Sequence, residues 1–256
     1  MHRSIVQLAL CIFLFTASTA FAHFQVLMPN QNIVTQGGDR TIDFDIRFTH
    51  PMEWGPVMNM GQPSRFGVIA NGQRTDLLPT LKPVSIEGRS AYTCRYTFKA
   101  PADYVFSIDP APYWEPAEKK MIIHYTKVVV DAFGAESGWD AATGQPVEIE
   151  PLVRPYGLWT NNLFRGVVKH NNKPVPYAEI EVEYYNEDRA VTAPAEAFVT
   201  QVIKADGQGV FAYAMPREGW WGFAALVDGD PMPGPAGKPV AVELGGLIWI
   251  HVQNMK

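Results

Sequence analysis

The sequence predicts an all-β chain built as two β-sandwich domains in tandem. Three observations predict it. Apolar and polar residues alternate with period two in one segment after another, helical periodicity is scarce, and proline and glycine, 21 of each, punctuate the segments.

The elements follow in order. Thr41 to Phe48 places Ile42, Phe44, Ile46 and Phe48 on one face of a strand. Ala91 to Phe98, Tyr104 to Ile108 and Met121 to Val130 are further strand segments. Glu148 to Pro155 reads as extended, because two prolines fix φ and remove ladder donors. The strand pattern then restarts with Phe164 to Lys169 and the turn His170 to Pro174. Ala178 to Tyr185 alternates cleanly, with Ile180, Val182 and Tyr184 opposite Glu179, Glu181 and Glu183, so one face is expected in solvent. Thr200 to Lys204 and Val210 to Met215 flank Asp206-Gly207-Gln208-Gly209, a hairpin signal. Gly219 to Val227 and Val240 to Val252 enclose a Pro/Gly loop, Asp228 to Pro239. About seven short strands in roughly 95 residues fit a sandwich of immunoglobulin type. The expected organisation is a signal peptide over 1–22, an N-terminal domain over 23–150, a linker over 151–159 and a C-terminal domain over 160–256.

The first 22 residues combine Arg3, an apolar run from Ile5 to Phe15 and Ala20-Phe21-Ala22, the three regions of a secretory signal. The run is shorter than the roughly 20 residues that span a bilayer. Cys11 lies at the front of that run behind Leu10, which argues against a lipoprotein site. The chain is expected in the periplasm. Its net charge of −5, with no basic cluster, argues against nucleic-acid or anionic-membrane partners. Cys94 is the sole cysteine after the signal, which excludes an internal disulfide and suits a buried strand residue.

Cleavage after Ala22 leaves His23 at the N-terminus. Its α-amine and imidazole then form a two-nitrogen chelate for a late transition metal. Cleavage after Ala20 would leave Phe21-Ala22-His23, also a nickel or copper chelator. A second cluster follows a strand directly: His50, Glu53, Met52, Met58 and Met60, with Trp54 among them. Mixed imidazole, carboxylate and thioether donors suit a borderline ion better than calcium or magnesium. Methionine in such a loop also fills core gaps. His124 shares a strand face with Ile122, Thr126 and Val128 and is expected to point inward. His251 alternates with Ile250 and Val252 and is expected at the surface, as is His170 in its turn. The aromatic stretches Tyr113-Trp114 and Trp220-Trp221 suit sugar stacking or packing. No phosphate loop, nucleophile elbow or zinc-hydrolase helix is present, so a binding protein is expected rather than an enzyme.

The start His23-Phe24-Gln25-Val26, the His50-Pro51-x-Glu53 loop with Met58-x-Met60, Pro112-Tyr113-Trp114-Glu115-Pro116, Ile123-His124-Tyr125-Thr126-Lys127, Arg154-Pro155-Tyr156-Gly157-Leu158-Trp159 and Gly219-Trp220-Trp221-Gly222-Phe223-Ala224 resemble one family. It is a periplasmic family of formerly unknown function associated with nickel and cobalt uptake transporters. The resemblance covers almost all of the chain after the signal. The C-terminal part also resembles the small sandwich modules of carboxypeptidase-regulatory or transthyretin type. Some relatives carry a C-terminal membrane anchor; this chain ends at Asn254-Met255-Lys256, so no stable anchor is expected. The resemblance implies nickel delivery to an inner-membrane nickel/cobalt uptake transporter. The residues point to a metal site drawn from His23, His50, Glu53, His124, Met58 and Met60. Cobalt or copper is the alternative ion. An N-terminal His with a further imidazole also matches the copper brace of oxidative polysaccharide-cleaving enzymes, an alternative marked by a flat aromatic face.

Overall fold

The structure, a computed structural model, describes residues 23–256; the signal segment lies outside the described residues. The strands in chain order are β1 Phe24–Pro29, β2 Ile33–Val34, β3 Thr41–Thr49, β4 Arg65–Ala70, β5 Gln73–Asp76, β6 Lys82–Ile86, β7 Arg89–Thr97, β8 Ala102–Asp109, β9 Tyr113–Glu115 and β10 Lys120–Ala132. The second half continues with β11 Val147–Pro151, β12 Leu158–Trp159, β13 Leu163–His170, β14 Lys173–Pro174, β15 Glu179–Tyr184, β16 Gln201–Lys204, β17 Val210–Ala214, β18 Gly219–Pro233 and β19 Pro239–Gln253. Two short 3-10 turns, Leu78–Thr80 and Glu196–Phe198, are the helical elements among the described residues. The all-β reading holds.

Three sheets form. One has the order β1-β3-β7-β6, another is built on β11-β13-β14 with β17 beside β13, and the largest runs β16-β15-β18-β19-β10-β8-β4-β5. The two halves of the chain share that large sheet, because β10 pairs in parallel with β19 from Lys120↔Ala241 to Val128↔Trp249. A parallel pair distant in sequence leaves no turn signal, which is why alternation alone does not reveal it.

The shared sheet is buried on both faces along β18 and β19. Trp249, Leu247 and Ala224 face one core with Phe24, Phe44, Phe66 and Phe106. Ile248, Ile250 and Phe223 face the other with Phe164, Phe211 and Val182. Trp249 is therefore fully buried, and its indole N–H donates to the Gln25 carbonyl at 3.0 Å. His251, expected at the surface, is half-buried with its ring against Trp220. The N-terminal half covers the face that the sequence read as solvated.

Other expectations change for similar reasons. The stretch read as a linker is partly strand. β11 pairs with β13 from Val147↔His170 to Pro151↔Gly166, and β12 pairs with the end of β19. The segments around Asp206-Gly207-Gln208-Gly209 do not form a hairpin. β16 joins β15, β17 joins β13, and Asp206 accepts the Gln208 and Val210 amides to turn the chain between sheets. The loop expected at Asp228 to Pro239 is mostly hairpin, with pairing out to Pro233↔Pro239. Glu183, expected in solvent, is buried. Cys94 is buried as expected, beside the Thr80 hydroxyl at 3.2 Å.

Two adjacent glycines explain how the layers approach. A Cβ on Gly245 would lie 2.4 Å from His124 Cδ2, and one on Gly246 would lie 2.9 Å from the Glu148 backbone. One glycine admits the histidine ring and the other admits the crossing strand β11. The same crossing is fastened by a buried ion pair, Lys127 Nζ to Glu148 Oε2 at 3.0 Å, which Thr143 completes with its N–H and hydroxyl.

Candidate metal centre

The site begins with strand register. β1 and β3 are antiparallel with Phe24↔Thr49, so the next step of the ladder sets His23 across from His50. Their ring centroids are 4.4 Å apart, and both side chains are buried. Non-hydrogen-bonded antiparallel neighbours bring side chains this close without strain.

The His50 loop is held rigidly. Gly55 N–H donates to the His50 carbonyl at 3.0 Å, and the Thr49 hydroxyl donates to the Gly55 carbonyl at 3.0 Å. Gly55 also packs on the imidazole, since a Cβ there would lie 2.9 Å from His50 Cβ. Trp54 takes a left-handed conformation, φ 50°, to close the turn.

Glu115 completes the arrangement around His23. Its Oε2 lies 3.0 Å from His23 Nε2, and its Oε1 accepts the Ala117 amide at 2.8 Å. Strand β9 places it there by pairing with β10, Glu115↔Lys120. The residue belongs to Pro112-Tyr113-Trp114-Glu115-Pro116, which the sequence reading treated as an aromatic motif. The signal for its role was a carboxylate between two aromatics and a proline, not a ligand spacing.

His124 forms a neighbouring group. Phe48 touches both histidines, stacking on His23 at 5.5 Å and meeting His124 edge-on at 6.0 Å. His124 points inward as expected, 1% exposed. Its Nε2 lies 3.3 Å from Glu243 Oε1, and Glu243 also pairs with Lys120. Burial alone would raise the Glu243 pKa, but His124 and Lys120 outweigh it and hold it at about 2. An ionised carboxylate accepts only, so Nε2 donates in this contact. The His124 Nδ1 is buried with no hydrogen-bond partner among the described residues. A cavity of about 20 Å³, room for about one water molecule, lies between His124, Gln25, Asn59, Met60 and Tyr113.

The family model described as Domain of unknown function (DUF4198) matches residues 20–229. The chain belongs to that family. No curated protein matches the sequence. Among solved structures, a domain fragment of intimin aligns over 90% of this chain and 100% of its own, at 11% identity and a TM-score of 0.27. E. coli alpha-2-macroglobulin aligns over 90% of this chain and 14% of its own, at 10% identity and a TM-score of 0.25. A titin domain fragment aligns over 86% of this chain and 64% of its own, at 8% identity and a TM-score of 0.23. These scores are too low to carry an argument about architecture or activity.

The remaining candidates divide. Met58 is buried against Phe48, Ile122 and Tyr113, with its N–H donating to the Phe48 carbonyl at 2.9 Å. Met60 is buried in the main core, where its sulfur receives the Gln25 amide at 3.7 Å. Both therefore serve packing, which the thioether's shape allows. Glu53 is exposed and lines a separate groove with Met52, Asn186 and Arg189, away from the two histidines. Among the described residues no group of three or more His, Cys, Asp or Glu side chains is arranged to hold a metal ion. The structure brings together the pair His23 and His50, with Glu115 hydrogen-bonded to His23.

Proposed function

We propose that the mature protein is a periplasmic nickel-binding protein that captures the ion and hands it to an inner-membrane nickel/cobalt uptake transporter. One observation carries the reading: the β1–β3 register sets two buried imidazoles, His23 and His50, with ring centroids 4.4 Å apart. The expected signal cleavage would free an α-amine on His23 beside them. Two imidazoles and an α-amine supply three nitrogen donors of the type nickel, copper and zinc accept. Glu115 fits the part of the carboxylate that orients a ligating histidine. The resemblance of the sequence motifs to a family associated with nickel and cobalt uptake transporters suggests the cargo and the recipient. Delivery follows by ligand exchange, which a site of few protein donors permits.

The test is metal stoichiometry of the processed protein and its variants. His23→Ala and His50→Ala should each lose bound nickel, whereas the double change His170→Ala with His251→Ala should retain it. Retention in the first two, or loss in the third, would move the site elsewhere. Retention of copper(I) alone, independent of both histidines, would favour a copper carrier built on methionine sulfur.

A further inference from the structure

The structure carries a second pocket between β15, the start of β18 and the strap at residues 191–194, with Met52 of the His50 loop as one wall. The strap is tied down from below. Asn186, 3% exposed, donates its side-chain NH2 to the Met52 carbonyl at 2.9 Å and to the Val191 carbonyl at 2.7 Å. Its side-chain oxygen accepts the Val191 amide at 3.1 Å, and its backbone N–H donates to the Pro51 carbonyl at 3.1 Å. Glu183 accepts the Met52 amide at 3.1 Å and the Thr200 hydroxyl at 2.5 Å. These bonds fix the strap at Val191 and hold Met52 and Thr200 on either side of the space beneath it.

That space is about 160 Å³, walled by Tyr184, Trp221, Phe198, Pro216 and Met52, with Arg217 as the only charged residue on its lining. Tyr184 and Trp221 stand with ring centroids 5.1 Å apart at 52°, and the Trp221 indole N–H donates to the Arg217 carbonyl at 2.9 Å. The exposed Arg217 guanidinium lies 5.8 Å from the Tyr184 ring centroid. Phe198, 55% exposed, is a large aromatic with no cover on its outer side. An apolar cavity of about 150 Å³ accepts one benzene ring. Arginine binds carboxylates through paired N–H donors, more strongly than a neutral donor does. A wider groove of about 520 Å³, which shares Met52 and the strap as walls, leaves room for substituents.

We propose that this pocket binds a small monocyclic carboxylate, with the ring seated against the wall formed by Tyr184, Trp221 and Phe198 and the anion on Arg217. Size sets one ring, the walls set its apolar character, and the single cation sets the charge of the ligand. The pocket does not depend on the nickel reading.

Benzoate, benzyl alcohol and benzylamine serve as probes in calorimetric titration of the processed protein. Benzoate should bind saturably at one site per chain. Benzyl alcohol, and benzoate on the Arg217→Gln variant, should each bind at least about tenfold more weakly, the loss expected for one charge-assisted contact. Benzylamine should not compete, and His23→Ala should leave benzoate binding unchanged. Arg217 is exposed, so its variant folds. Equal benzoate affinity in Arg217→Gln, benzylamine binding as tightly as benzoate, or no saturable binding of any probe would each overturn the proposal.

Discussion

Replacing Glu183 with Gln should make the protein progressively more stable than the native chain as pH rises. The Glu183 carboxyl is 1% exposed, accepts hydrogen bonds from Met52 N–H and Thr200, and faces Glu181 and Glu53. Burial raises its pKa from the ordinary 4.5 to about 8, against the pull of those two hydrogen bonds. A carboxyl raised by folding stabilises the fold fully below about 4.5 and loses that contribution as pH rises through about 8. Linkage over that window makes the native chain about 3 kcal/mol less stable at pH 7 than at pH 4.5 through this group alone. Glutamine keeps the acceptor for Met52 and cannot ionise, so the variant lacks this loss. Urea unfolding of both proteins at pH 5, 6, 7 and 8 reads the difference directly. A gap that stays constant across the series would show that Glu183 is already ionised in the fold and that burial does not raise it.

Three further outcomes follow from particular contacts. Tyr156→Phe should cost about 1–3 kcal/mol in unfolding free energy, because the hydroxyl donates to buried Asp103 at 2.7 Å and its loss strands that oxygen beside Asp131; a cost near zero would show that water reaches the pair. Asp103, raised by burial to about 6, makes this cost greatest above that value, where the carboxylate is charged. Gly245→Ala should cost about 1–3 kcal/mol and shift the His124 ring resonances, since the new methyl meets the ring; unchanged resonances would place the ring elsewhere. Nickel affinity should fall steeply from about pH 7 to 5, because protons compete for imidazole and amine nitrogens with ordinary values of about 6.5 and about 7.7 to 8.0; a flat dependence in competition titrations would point to sulfur donors.

Period-two alternation located strands that bury one face, as Thr41 to Phe48 shows with Ile42, Phe44, Ile46 and Phe48 all inward. It misjudged strands buried on both faces. Glu183 looked solvated because its cover, the Met52 segment, comes from the other half of the chain. The β10–β19 junction was illegible because parallel pairing between distant segments has no local mark. His23 and His50 were legible as donors by residue type, but their meeting depends on register. Glu115 was hidden because its strand is three residues long and its partner is set by pairing with β10. Glu53 looked suitable by its spacing from His50, yet the turn closed by Gly55 sends it to the outer groove.

The central claim is that His23, its freed amine and His50 together bind the ion. Equilibrium titration with nickel should compare protein beginning at His23 with the same protein carrying a short extension before it. The account predicts one ion per chain for the first, and at least about tenfold weaker binding for the second, the loss expected when one ligand nitrogen becomes an amide (about 1.4 kcal/mol or more). Equal affinity in the two proteins, or no nickel bound by the protein beginning at His23, would contradict it.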